Sequence, residues 1–326
     1  MNDGSPAARP LRVAILDDYQ RVARDYADWS SLPPGSELQF FSDHLTSEDA
    51  LVHRLASFEA LVAMRERTAF PRSLLTRLPN LRLLVTTGAR NAAIDVAAAA
   101  ELGIIVAGTE GLPYPTAELT WALILALARQ VPAEDRALRA GAWQTSVGSG
   151  LQGKSLALLG LGRLGTQVAR IGRAFGMRVL AWSPNLTAAR AESGGAEFVS
   201  RDELFRQADV LSIHLVLSER TRALVGPSEL ALLKKSALLI NTSRGPIVDE
   251  AALIAALSSD ALAGAGLDVF DVEPLPVSHP FLSLKNTVLT PHLGYVTGET
   301  YRIFYAQALE DILGYLVGEA PRTILP

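Results

Sequence analysis

Three segments of the chain, NTSRGPIVDE, GLDVFDVEPLP and LTPHLGYVT, each place a chemically capable side chain just past a short apolar run: Arg244, Glu273 and His292. If those runs are strands of one parallel sheet, their carboxyl ends open onto a single crevice, where such sheets bind ligands. A permanently charged guanidinium there can fork onto a carboxylate or carbonyl oxygen. An imidazole can give or take a proton, and a carboxylate bonded to it holds its tautomer and favours the proton-loaded form. Taken singly, Arg244 could pair with Asp249 or cap a helix, and Glu273, before Pro274, could be a turn residue. The strand end shared by all three lets the side chains converge on that one crevice.

A fourth segment, LALLGLGRLG, spaces Gly160, Gly162 and Gly165 as G-x-G-x-x-G after an apolar strand and before the helical pattern of TQVARIGRAFG. Glycines at that spacing permit a tight turn, a close backbone approach to a pyrophosphate, and tight helix-on-sheet packing. The helix amino terminus adds unpaired N–H groups and partial positive charge. The same fingerprint expects a ribose-binding acid about 20 residues on. In RVLAWSPN, 18 residues beyond Gly165, stands Ser183. A serine hydroxyl can donate to a ribose hydroxyl or a 2′-phosphate without repelling the latter, so NADP is tolerated where an aspartate would exclude it. Arg163 and Arg190 are the nearest cations. Ser183 could equally be a neutral turn residue before Pro184.

The elements that must position these groups form two series of apolar runs alternating with helical patterns, the mark of parallel sheets built from βαβ units. In the first series the expected strands are 11–18, 59–64, 81–87 and 103–108, with helices near 47–57 and 94–102. Ser47 can cap the earlier helix, and Glu48 and Asp49 favour its positive end. In the second series the expected strands are 155–160, 178–182, 210–215, 237–242, 263–270 and 287–291. A helical region from Thr116 to Ala140, broken near Pro132, bridges the series, and a last helix over 299–316 can return the chain to the first domain.

Composition narrows the partners. The chain has 326 residues, 49% hydrophobic and 20% charged, with a net charge of −4, which suits about two globular domains. It has no basic surplus to neutralise nucleic acid phosphates. It has no cysteine, which removes disulfide frameworks, thiolate catalysis and Cys-based zinc sites and is compatible with a reducing cytoplasm. The amino terminus does not read as a signal peptide. The longest strongly apolar stretch, Trp121 to Ala128, is far short of the ~20 residues of a membrane helix and reads as a buried one. Small molecules become the expected partners, with no metal, nucleic acid or membrane.

At this point the chain resembles the D-isomer-specific 2-hydroxyacid dehydrogenases, over roughly residues 11–320, on the ordered motifs GLGRLG, NTSRGPIVDE, GLDVFDVEPLP and TPHLGY. The resemblance implies an α/β protein of two doubly wound parallel-sheet domains with a cleft between them. A flavodoxin-like substrate domain would comprise 1–108 and 293–326, and a Rossmann NAD(P)-binding domain 109–292. It implies hydride transfer between NAD(P)H and a small 2-keto or D-2-hydroxy acid, with Arg244, Glu273 and His292 catalytic. Cofactor contacts would come from Gly160, Gly162, Arg163, Leu164, Gly165, Ser183, His214, Thr242, Ser243, Asp268 and Thr116. Asp268, near the nicotinamide amide in the family, could instead be a buried structural residue. Substrate contacts would come from Arg65, Arg244 and the N–H groups around Thr87, Gly88 and Ala89. A homodimer is also implied, and the composition leads to the expectation of a cytoplasmic location.

The chain departs from the pattern at Arg90, where the family usually has a second glycine, at Pro113-Tyr114-Pro115, usually asparagine-containing, and at Val216, usually proline. Arg65, Arg67 and Arg90 could select a second negative charge or be solvated surface arginines. His44, His53 and His279 have no strand-end context and read as surface or loop residues. Two rival functions use the same fold: a dehydrogenase of another small anion, as with phosphite, and a non-catalytic nucleotide-sensing scaffold.

Overall fold

The computed structural model of the chain describes residues 9–319 and 321–326. The chain divides into two compact units, one running to Leu112 and resuming over Thr297–Pro326, the other Pro113–Val296. The sequence expectation put the crossings at 108/109 and 292/293.

In the first unit, β1 (Arg12–Ile15), β2 (Glu37–Phe40), β3 (Ala60–Ala63), β4 (Leu83–Thr86) and β5 (Ile105–Gly108) form a parallel sheet of order β2-β1-β3-β4-β5. The inner strands ALVA and LLVT are buried at every position, as strands covered on both faces must be. The edge strand β2 was not legible in the sequence. Its ELQF alternates exposed and half-buried residues, and four such residues carry little apolar signal. The carboxyl-terminal segment returns to the other edge, where Gly108 N–H donates to Arg322 O at 2.9 Å and Ile324 N–H to Val106 O at 2.8 Å, covering that edge. Ser47 precedes the helix Glu48–Leu55, but its hydroxyl makes no capping bond.

In the second unit, β6 (Ser155–Leu159), β7 (Arg178–Trp182), β8 (Glu197–Phe198), β9 (Val210–Ile213), β10 (Leu238–Asn241), β11 (Gly264–Leu267) and β12 (Thr287–Leu289) form a seven-stranded parallel sheet of order β12-β11-β10-β9-β6-β7-β8. The order reverses between β6 and β9, which is the switch point where such sheets bind ligands. Both faces carry apolar layers, one built on Leu159, Phe205 and Leu239, the other on Trp121, Leu158 and Ile240. Truncating a fully buried leucine such as Leu158 to alanine should cost about 2–5 kcal/mol.

The helical region expected over 116–140, with a break near Pro132, is two helices, Pro115–Ala128 and Val131–Arg139. The break falls at Gln130, in a left-handed conformation (φ 54°), and Pro132 sits in the first turn of the second helix, where its missing N–H costs nothing. Trp121, Leu123, Ile124, Leu127 and Ala128 are buried, as the apolar run required. Among the described residues no helix is long and apolar enough to cross a membrane.

Candidate active site

Arg244, Glu273 and His292 follow β10, β11 and β12, three adjacent strands of the second unit, so one register brings them to the same edge. Asn241 ends β10 and folds back in an Asx turn: its side-chain oxygen accepts from Ser243 N–H at 3.0 Å, and its amide donates to Arg244 O at 2.9 Å. Asn241 is buried, and without it the turn that carries Ser243 and Arg244 would lose both restraints. The sequence reading passed over this residue, although an asparagine at a strand end is a recognisable turn signal.

His292 Nδ1 lies 2.6 Å from Glu273 Oε2, and Glu273 Oε1 accepts from Phe270 N–H at 3.0 Å. Both glutamate oxygens are therefore held. Burial pushes the Glu273 carboxyl up, but the hydrogen bond and charge of His292, the Phe270 N–H and the charge of Arg244 together hold it below the usual range. It is thus ionised as it faces the imidazole.

His292 itself adopts a left-handed backbone (φ 55°), which costs a non-glycine residue roughly 1 kcal/mol or more. The loop that imposes this is tied down by Asp268. Its Oδ1 accepts from Thr290 Oγ1 and Leu293 N–H, each at 2.6 Å, and its Oδ2 from Gly294 N–H at 2.8 Å. Asp268 is fully buried, and burial raises its pKa against the pull of these donors and of His292. Both its oxygens thus engage the loop that carries the imidazole. Thr116 Oγ1 donates to Gly294 O at 2.9 Å, and Thr120 joins Thr116 O and Thr242 Oγ1, each at 2.8 Å. Thr116 and Thr242 therefore belong to the same knot. Thr290 and Thr120 were not singled out from the sequence; a buried hydroxyl carries no signal until its partners are in place.

The glycine loop follows β6 at the switch point. Gly160 has φ 108°, and a Cβ there would stand 2.8 Å from the His214 carbonyl group; a Cβ on Gly165 would stand 2.3 Å from Gly160 O. Gly162 faces open space and begins the helix Arg163–Ala174 with no side-chain cap. The loop therefore leaves helix N–H groups uncapped behind an open backbone face, which fits a dinucleotide pyrophosphate. Arg163 is exposed and Leu164 partly so. Ser183 follows β7, whose last carbonyl, that of Trp182, accepts from Gly160 N–H at 2.8 Å. The Ser243 hydroxyl donates to Leu215 O. His214 packs its backbone on the loop and bonds Ser212 Oγ through Nε2 at 2.9 Å; burial lowers its pKa to about 4, so the ring is neutral at pH 7. Gln167 donates to Pro113 O at 3.1 Å, which gives the unusual Pro113-Tyr114-Pro115 a place: Pro113 tethers to the glycine-loop helix and Pro115 opens the next one. Val216 is exposed, and nothing in the structure explains the departure there.

In the first unit Arg65 follows β3 and Thr87–Ala89 follow β4, its neighbour. Arg65 N–H donates to Thr87 Oγ1 at 2.9 Å and its guanidinium to Thr87 O at 3.3 Å. A Cβ on Gly88 (φ 93°) would stand 1.7 Å from that guanidinium, so the arginine keeps this place over the turn only because position 88 is a glycine. Two of the three expected carboxylate donors already serve the protein: Thr87 N–H bonds Ala63 O at 2.9 Å and Gly88 N–H bonds Thr109 Oγ1 at 2.7 Å. Only the Ala89 N–H has no such protein partner among the described residues. Arg67 is not a solvated arginine: it donates to Asp17 O at 3.0 Å and lies 4.6 Å from the Tyr19 ring centre. Arg90 is exposed at the rim of a cavity of about 770 Å³ that Glu110 and Arg322 also line. His44 and His279 sit in loops but are not surface groups, because each is largely buried against a carboxylate, Asp17 at 2.9 Å and Glu250 at 3.0 Å. His53 is exposed.

Residues 121–294 match the family model described as D-isomer specific 2-hydroxyacid dehydrogenase, NAD binding domain. The chain belongs to that family. The glyoxylate reductase of Aeropyrum pernix is 43% identical over 262 residues, 77% of this chain and 78% of that one. The hydroxypyruvate reductase of Thermotoga maritima is 36% identical over 282 residues, 85% and 90% of the two chains. Among solved structures, the phosphoglycerate oxidoreductase of Vibrio cholerae superposes with a TM-score of 0.89 at 38% identity, covering 94% of this chain and 98% of that one. The matched region spans β6 to β12 with the glycine loop, Arg244, Glu273 and His292.

Proposed function

We propose that this chain is an NAD(P)H-dependent reductase of small 2-keto acids, run in reverse as a D-2-hydroxyacid dehydrogenase. The observation that carries the reading is the 2.6 Å pair of His292 Nδ1 and Glu273 Oε2 on strands adjacent to that of Arg244. With Nδ1 committed to the glutamate, Nε2 is the nitrogen that exchanges a proton with the substrate oxygen. Glu273 holds the ring orientation and stabilises the imidazolium. Arg244 forks onto the carboxylate and keto oxygens, aligning the substrate and stabilising negative charge on the carbonyl oxygen. A bound reduced nicotinamide supplies the hydride that the keto carbon takes. The glycine loop holds the pyrophosphate and Ser183 the adenosine ribose, with Arg163, Leu164, His214, Thr242 and Ser243 around them. The knot of Asp268, Thr116 and Gly294 keeps His292 in place. In the first unit, Arg65 and the Ala89 N–H are donors that suit an anion.

The relatives named glyoxylate and hydroxypyruvate reductase favour a short keto acid over phosphite or a purely sensing role, and the ionised, fully held Glu273 would have no use in a scaffold. The helix Val131–Arg139 has no buried residue and presents Val131 and Leu138, which supports a homodimer built on it. The deciding experiment crosses NADH and NADPH with glyoxylate, hydroxypyruvate, pyruvate, a bulky aromatic keto acid and, in the reverse direction, phosphite. Oxidation of NAD(P)H with a short keto acid is expected; silence with every keto acid would overturn the reading.

A further inference from the structure

The adenosine end of the nucleotide site is where this chain's own residues say most. Resting on the reading of a nicotinamide-dependent enzyme, we propose that Arg190 recognises a 2′-phosphate on the adenosine ribose, so that the site discriminates in favour of NADP(H).

Three observations converge. Ser183 follows β7 directly and is fixed at the mouth of the glycine loop, because the preceding carbonyl of Trp182 accepts from Gly160 N–H at 2.8 Å. Ser183 O then accepts from Leu186 N–H at 3.1 Å, closing a tight turn, and residues 183–191 contain no carboxylate. The site therefore lacks the acid that would bind a 2′-hydroxyl and repel a 2′-phosphate.

The short helix Ala188–Ser193 that follows is tied both to the turn and to the loop. Its cap Thr187 accepts from Arg190 N–H at 3.3 Å. At its end Gly194 approaches Leu161 of the glycine loop so closely that a Cβ would stand 2.7 Å from the leucine side chain. Arg190 is thus carried on an element anchored to the nucleotide loop.

The guanidinium reaches back over the turn, its Nη1 standing 3.5 Å from Asn185 O. That single long contact leaves most of its donors for another partner, and no ion pair neutralises it among the described residues. Arg163, at the first turn of the helix after the loop, is a second exposed cation on the nucleotide-loop segment. A guanidinium held over the turn that begins at Ser183, in a segment 183–191 without a carboxylate, matches a phosphate dianion, which it can grip through two parallel N–H bonds.

The test uses the whole chain and two probes that differ only in the 2′ group, adenosine 2′,5′-bisphosphate and 5′-AMP, titrated calorimetrically. The wild type should bind the bisphosphate at least about tenfold more tightly. Arg190→Ala should remove about tenfold or more of that advantage while leaving 5′-AMP affinity within about twofold, and Arg190→Lys should keep part of it. Ser183→Asp should reverse the preference. In turnover, Arg190→Ala should raise KM for NADPH and leave kcat and KM with NADH unchanged. Equal binding of the two probes by the wild type, or loss of both in parallel in Arg190→Ala, overturns the assignment while the keto-acid assay with NADH still stands. Failure of the wild type to bind either nucleotide overturns the assignment and the dehydrogenase reading together. Arg190 is exposed, so the variants should fold; an unchanged thermal midpoint verifies it.

Discussion

His292 and Glu273, nineteen residues apart in sequence, meet at 2.6 Å because β12 and β11 are parallel neighbours whose following loops turn to the same side. The glutamate's other oxygen is fixed by Phe270 N–H, so the imidazole is aimed by a carboxylate that cannot itself rotate away. A ring held through Nδ1 offers Nε2 for proton transfer.

Removing the proton carrier should therefore separate chemistry from binding. His292→Gln is expected to lower kcat by about 10²–10⁴-fold while NADH affinity, measured by fluorescence titration, stays within about twofold. Glu273→Gln, which leaves the ring but removes the charge that orients it, should cost less, about 10–100-fold. Near-normal turnover in the first variant would remove His292 from the mechanism.

Arg244→Lys keeps the charge and loses the planar fork. Because bidentate geometry is what a lysine cannot reproduce, kcat/KM for glyoxylate should fall by about 10²-fold, with the loss visible in both kcat and KM. A change under about threefold would mean that Arg244 acts as a distant charge and makes no direct contact.

Gly165→Ala would drive a methyl group to within 2.3 Å of Gly160 O. The loop must open to accommodate it, so nucleotide affinity should drop by at least about tenfold and the thermal midpoint should fall as well. Gly162→Ala, at a position with open space, should leave the midpoint unchanged and weaken only nucleotide binding, since its methyl group would stand where the pyrophosphate approaches.

Asp268→Asn replaces an acceptor-only group with one whose NH2 would face either the Leu293 N–H or the Gly294 N–H, donor against donor. Such a buried mismatch costs about 2–4 kcal/mol. Urea unfolding should show that loss, and kcat should decline because the loop that aims His292 relaxes. Full stability in this variant would mean that the loop is held by other contacts.

His214 makes stability depend on pH. Its folded pKa, about 4, lies below the ordinary 6.5, so the unfolded chain takes up the proton first. The contribution is complete above pH 6.5, declines as pH falls toward 4, and is lost below it. Because the residue keeps some exposed surface, the contribution is at most about 3 kcal/mol. Urea melts from pH 7.5 to 4.5 should show a steeper decline for the wild type than for His214→Gln; parallel curves would show that the ring is solvated.

The residue types of the site, their order and their strand-end context were legible in the sequence, because an apolar run and a glycine spacing are local signals that backbone geometry and burial dictate directly. So were the two parallel sheets, since all the inner strands are nearly continuous in apolar residues. The edge strands β2 and β8 were not, because β2 alternates polar Glu37 and Gln39 with its two apolar residues and β8 is only two exposed residues long, so neither holds an apolar run. Only the tertiary structure decided which nitrogen of His292 is bonded and that Asp268 holds the loop carrying it. It also showed that Thr87 and Gly88 turn their N–H groups inward, and that Arg190 leans over the turn at Ser183. Each of these is a pairing between residues distant in sequence or folded back across a turn, and hydrogen-bond geometry exists only once the chain has brought both partners together.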